Sequence, residues 1–144
     1  METKQLLEKV RSEITRRALP QGGWSSAESR QASVETTCLS LMALRQIGRA
    51  SDLGRNFLLH IQNADGSWPA FRGDDAEGCW TTSLAVITLL GHNDSSAQRG
   101  IQWLKDHQRQ SGRWFTPSQS WHQRNLISNA GTAYAVMALK ACEE

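Results

Sequence analysis

Cysteine is scarce in this chain, and its placement excludes more than it offers. Cys38, Cys79 and Cys142 are odd in number, widely spaced and form no CxxC pair. A disulfide framework is therefore not expected; reduced, buried thiols are. Long hydrophobic runs are missing too: no stretch approaches the ~20 apolar residues that a membrane span requires. Charge of one sign is equally short. Sixteen basic and fourteen acidic residues leave a net +2, and no basic block exceeds Arg16-Arg17. That excludes the clustered basic face of a nucleic-acid binder. The opening Met1-Glu2-Thr3-Lys4-Gln5 lacks the charged-then-apolar layout of an export signal, so the expected location is cytoplasmic. Hydrolytic triads, phosphate-binding loops and dinucleotide fingerprints are absent. What the chain has in excess is tryptophan, six in 144 residues, and three of them, Trp24, Trp68 and Trp114, end the copies of a repeat.

The first intact copy runs Gly54, Phe57, Leu58, Gln62, Gly66, Trp68, and the second Gly100, Trp103, Leu104, Gln108, Gly112, Trp114. The pattern G-x2-[FW]-L-x3-Q-x3-G-x-W thus recurs at an offset of 46 residues. A third, worn copy ends at Gly22-Gly23-Trp24 and holds Ala18 where the glutamine is expected. A period of roughly 20–50 residues signals stacked supersecondary units. The chain length fits one domain with a real core.

Each unit reads as an αα-hairpin. Leu6, Leu7, Val10 and Ile14 form one apolar stripe of a first helix, which Pro20 and Gly22-Gly23 stop. A second helix is expected over about 33–47, with Gly48 as its cap. A third spans about 52–62 with Ser51 or Asp52 as N-cap. The fourth, about 80–90, is apolar on nearly every side, as buried helices are. The fifth spans about 95–108 and the last about 129–141. The hairpins therefore cover about 3–47, 50–92 and 95–143. The second helices repeat in register as Glu35-Thr36-Thr37-Cys38-Leu39, Trp80-Thr81-Thr82-Ser83-Leu84 and Ala130-Gly131-Thr132-Ala133-Tyr134. The loop of about 113–128, with Phe115, Pro117, Trp121 and His122, is longer than its counterparts, and loops of that length are often functional.

The Gly-x-Trp falls just past each first helix, where the last carbonyls lack intrahelical partners. Glycine permits a tight, left-handed turn there. The glutamine one turn back offers an amide to those free backbone groups. Gln62, Gly66, Trp68, Gln108, Gly112, Trp114 and Trp24 are accordingly read as structural, since catalytic residues are seldom copied in every repeat.

The Q-x3-G-x-W element and the matched second helices resemble the QW repeats of squalene and oxidosqualene cyclases. They are similar also to the repeats of protein prenyltransferase β subunits and of complement-type thioester domains. The resemblance covers about 6–139. It implies an all-α fold, an αα-toroid of outer and inner helix rings around an often apolar cavity. Three hairpins would form half of an (α/α)6 toroid, completed by a homodimer or by another protein. The resemblance further implies an isoprenoid-like or lipid ligand.

Each relative's chemistry can be sought residue by residue. Class II terpene cyclases protonate their substrate with the central acid of D-x-D-D-T-A; aligned on Thr37-Cys38, this chain offers Ser33-Val34-Glu35-Thr36, with Glu35 at the donor position and the supporting acids gone. Glu35 is thus either a neutral general acid in a dry cavity or a carboxylate favoured by the helix macrodipole. Asp74-Asp75-Ala76-Glu77 could hold a divalent cation such as magnesium, or be a solvated loop. Prenyltransferases hold zinc through D-x-C and a later histidine. Glu77-Gly78-Cys79 has that spacing, but Gly131 occupies the later position, so Glu77 and Cys79 are zinc candidates against a plain reading of Cys79 as a small buried hydrophobe. The Cys-Gly-Glu-Gln run of thioester domains is absent. Trp80, Trp121 and Tyr134 could line a cavity and stabilise carbocations, or simply pack.

Two readings follow. In the first, the chain is a repeat module with an apolar concave surface for an isoprenoid-like ligand or a protein partner, with no resident cofactor and no catalysis alone. In the second, it is a minimal terpene-cyclase-like or prenyltransferase-like enzyme subunit completed by dimerisation.

Overall fold

Apolar stripes of helical period, five of them followed by glycine, give six helices in the computed structural model. It describes residues 2–26, 30–46, 48, 51–76, 78–91, 94–114 and 124–143, with backbone alone for 94 and 124–130. The helices are α1 (Thr3–Arg16), α2 (Val34–Gln46), α3 (Asp52–Ile61), α4 (Cys79–Leu89), α5 (Asp94–Asp106) and α6 (Arg124–Ala141). Among the described residues there is no strand, only isolated antiparallel bridges that join Ser33 to Trp24 and to Phe71. The fold is all-α. Ser51 caps α3 by accepting from the Gly54 N–H at 3.3 Å.

Five of the six helices lie close to their expected spans. The last does not: α6 begins at Arg124, about five residues early. The segment 124–128 holds neither glycine nor proline, so nothing in it stops a helix from extending backwards.

The helix α4 is the centre of the packing. It contacts α2, α5 and α6, and nine of its residues, Cys79 and Leu89 among them, are buried. Around it Val34 and Cys38 of α2, Leu58 and Ile61 of α3, Ile101 and Leu104 of α5, and Ala135 and Ala138 of α6 complete one core with Trp68 and Trp114. α3 packs on α2 and α5 on α4, so each rests on the helix before it.

α1 follows no helix among the described residues, and its apolar stripe differs accordingly. The stripe exists, yet α1 buries no residue; Leu6, Leu7 and Val10 are 50%, 47% and 46% exposed. Its surface is instead laced by ion pairs from Glu13 to Arg16 and Arg17.

One device recurs three times and holds each unit together. The backbone N–H of Trp24, Trp68 and Trp114 donates to the hydroxyl of Thr37 (3.0 Å), Thr82 (2.9 Å) and Thr132 (3.2 Å). The indole N–H of the same tryptophans donates to the carbonyls of Ile14 (2.8 Å), Leu58 (2.8 Å) and Leu104 (2.7 Å). Each tryptophan therefore pins one helix by its ring and the following one by its backbone. A buried indole or amide left without a partner would cost about 1–3 kcal/mol.

The joints between units repeat as well. At the first, a β-carbon built on Gly54 would lie 2.7 Å from the Trp24 ring and 2.9 Å from Leu41, and one on Gly22 would lie 2.8 Å from the Leu53 carbonyl oxygen. At the second, the same test on Gly100 gives 2.8 Å to Trp68 and 2.7 Å to Val86, and on Gly66 gives 2.6 Å to the Arg99 carbonyl oxygen. Glycine is present at these positions because helix backbone approaches too closely for any side chain.

Candidate functional site

The repeat residues form the most completely described cluster. Gln62 donates through Nε2 to the Gly66 carbonyl at 2.9 Å and to the Ser96 carbonyl at 3.0 Å. The second bond reaches the first turn of α5 in the next unit. Its Oε1 accepts from Arg99, also on α5. Gln108 makes the corresponding bond to Gly112, at 3.0 Å. Asp65 adds a tie at the second joint by accepting from the Trp103 indole at 3.0 Å. Gly66 and Gly112 have φ of +99° and +81°, a conformation that glycine adopts without a steric penalty.

Glu35 lies in the first turn of α2, half-buried. Burial raises its carboxyl above the usual range, and nothing among the described residues offsets that. Among the described residues no other charged group shifts it. The nearest consequence is felt by Cys38, one turn on, whose thiol is pushed up to about 12, first by burial and further by the charge of Glu35. A thiol held so high is inert as a nucleophile.

Trp80 and Tyr134 meet where α4 crosses α6, their rings stacked at 6.1 Å between centroids and 18° between planes. The Trp80 indole N–H is buried and makes no hydrogen bond among the described residues. An unpaired buried donor is uncommon. Trp121 and Glu77 lie outside the described residues, as do His92 and His122.

Cys79 is fully buried at the start of α4, and its Sγ donates to the Gly131 carbonyl of α6 at 3.7 Å. The thiol thus faces the position that the D-x-C comparison aligned with a histidine. Among the described residues no group of three His, Cys, Asp or Glu side chains could share a metal ion. Asp74 turns its carboxylate onto its own loop, accepting from the N–H groups of Ala70 at 2.9 Å and Ala76 at 3.2 Å. His60 and His107 bond to backbone carbonyls one turn back, and His107 also stacks on Trp103.

The roles of Thr37, Thr82 and Thr132 and the reach of Gln62 to Ser96 are not evident from composition or spacing alone. The repeated threonine in register was the available signal. The bond partner, more than a dozen residues away, was not. Chemically, the start of α2 presents the Glu35 carboxyl, and Trp80 at the start of α4 pairs with Tyr134 of α6.

The chain is similar to the squalene–hopene cyclase of Zymomonas mobilis subsp. mobilis, 27% identical over 122 residues, which are 77% of this chain. It spans only 18% of that protein's length. The family described as the squalene-hopene cyclase C-terminal domain matches residues 29–144. With most of the sequence covered, the chain belongs to the squalene-hopene cyclase C-terminal domain family.

Proposed function

We propose that this chain is a cyclase-type helical module of three αα-hairpins, half of an (α/α)6 toroid, that binds an isoprenoid-like ligand and does not catalyse its cyclisation alone. In this reading α2, α4 and α6 form the inner ring, and their apolar concave surface takes the ligand. A second copy or another protein completes the ring, in the cytoplasm. The observation that carries the reading is the contrast between scaffold and acid. The pins recur in every unit, whereas among the described residues the Glu35 carboxyl has burial as its one perturbing influence and no partner to hold or aim its proton. General acid catalysis requires positioning as well as a matched pKa. The Trp80–Tyr134 stack supplies an aromatic wall for an apolar chain. This reading takes no zinc or magnesium, and it is supported among the described residues by Cys79, turned into the α4–α6 contact, and Asp74, turned into its own loop. Chelator treatment should leave the melting temperature unchanged.

A second reading, an enzyme subunit completed by dimerisation, is favoured by the raised carboxyl of Glu35. One experiment separates the two. The chain is titrated with farnesol and with squalene while tryptophan fluorescence is followed, and the squalene mixture is then analysed for cyclised products. Saturable quenching that weakens in Trp80→Phe, with squalene recovered intact, is the expected result. A cyclised product that disappears in Glu35→Gln would establish the enzyme instead, and absence of quenching would remove the ligand.

A further inference from the structure

The third unit ends in a face that the first two units use for joining. The Trp–Thr pins align the inner helices, so that Thr37, Thr82 and Thr132 are equivalent. Four residues further on lie Leu41, Val86 and Val136. Leu41 meets Gly54 of α3 and Val86 meets Gly100 of α5. Val136 is 53% exposed, and its neighbour Met137, equivalent to Met42 and Ile87, is 56% exposed. The turn glycines follow suit. Gly22 and Gly66 are buried against the backbone of α3 and α5, whereas Gly112 is exposed and among the described residues a β-carbon on it would meet only Gln108 Nε2, at 3.9 Å. Gln108 is exposed too, and among the described residues it lacks the inter-unit bond that Gln62 makes to Ser96.

We propose that Gln108, Gly112, Val136 and Met137 form a seat for one further outer helix, supplied by a partner polypeptide of the same repeat type. The proposal rests on the reading of the chain as part of a larger ring. The two existing joints specify the partner's chemistry. Its helix carries a glycine against Val136, with the carbonyl of the preceding residue against Gly112, as Leu53 and Arg99 present theirs. The carbonyl four residues before that glycine, the counterpart of Ser96, accepts from Gln108.

A second copy of this chain does not meet the specification through α1. The indole acceptors Ile14, Leu58 and Leu104 align the outer helices, and four residues before each lie Val10, Gly54 and Gly100. Even a β-carbon at the glycine position would approach its neighbours to about 2.7 Å; an isopropyl group there is excluded from the same register. The seat therefore selects for glycine and against the amino-terminal helix of its own chain.

The test uses the full chain and a helix-constrained, fluorescent peptide of residues 94–108, the chain's own outer helix with Gly100. Binding is followed by anisotropy. The peptide is expected to bind, and Gly100→Val in the peptide should weaken it by about tenfold or more, as overpacking of a close helix joint does. Val136→Asp in the chain, at a surface position that leaves the fold intact by circular dichroism, should weaken it comparably, and Gln108→Ala less. Equal binding of the Gly100→Val peptide would overturn the proposal, as would absence of binding or insensitivity to Val136→Asp, which would mean exchange with α5. Self-association of the chain that Val136→Asp abolishes, without competition by the peptide, would assign the seat to a second copy instead. The isoprenoid titration is read by tryptophan quenching, so failure of the ligand reading and failure of the seat are told apart.

Discussion

The indole N–H of Trp68 donates to the carbonyl of Leu58 at 2.8 Å, ten residues back along the chain. The same residue's backbone N–H donates forward to Thr82. One side chain thus closes the end of α3 and fixes the start of α4. Because both bonds are buried, neither can be exchanged for water when a partner is removed.

Thr82→Val keeps the shape of the side chain and deletes the acceptor of the Trp68 N–H. Stability should fall by about 1–3 kcal/mol, the cost of stranding a buried donor. Thr132→Val, at a longer 3.2 Å bond in a half-buried position, should cost less. Urea midpoints of the two variants decide the matter, and equal midpoints would contradict it.

Gly100→Ala replaces a poor helix former with the best one, a gain of about 1 kcal/mol. Its methyl would nevertheless intrude on Val86 and Trp68, and overpacking costs about 1–3 kcal/mol. The net effect expected is a lower melting temperature. A rise would mean that the α4–α5 joint yields easily.

The raised carboxyl of Glu35 has a definite sign in stability. Burial disfavours the charged form, so the folded state binds this proton more tightly than the unfolded chain. Its contribution is fully present below the unfolded pKa and is lost as pH rises through the folded value. Glu35→Gln should therefore melt higher than the parent at pH 7 and match it more closely under acid conditions. Identical differences at both pH values would refute the burial argument.

Thiol labelling should follow burial. Cys38, pushed up to about 12, and fully buried Cys79 should resist an aqueous disulfide reagent at pH 8, while half-buried Cys142 reacts first. Mass mapping of the labelled sites checks the order. Early modification of Cys38 would show that α2 opens locally.

Much of this architecture is legible in the sequence because its signals are local. Glycine at 48 and 91, the apolar run of α4 and the Q-x3-G-x-W spacing each act within a few turns of helix, and the helices fall where these place them. Two features resist such reading. The stripe of Leu6, Leu7 and Val10 looks like any core-facing stripe, yet whether it is covered depends on a neighbouring helix and not on the stripe. The start of α6 carries no stop signal at all, so periodicity alone set it too late. At the candidate site, Glu35 could be found by alignment, whereas its isolation depends on what α4 and α6 bring near it. The reach of Gln62 to Ser96 spans two units, and no local pattern encodes it.

The joints have a consequence for how the molecule comes apart. Among the described residues the joints link adjacent units, and the middle unit is tied on both sides. In such a linear array, opening propagates from the ends inward. Amides of α1, with no buried residue, should exchange with deuterium first, and those of α4, buried along nearly its whole length, last. Proteases should nibble in the same order, leaving a resistant fragment centred on Trp68.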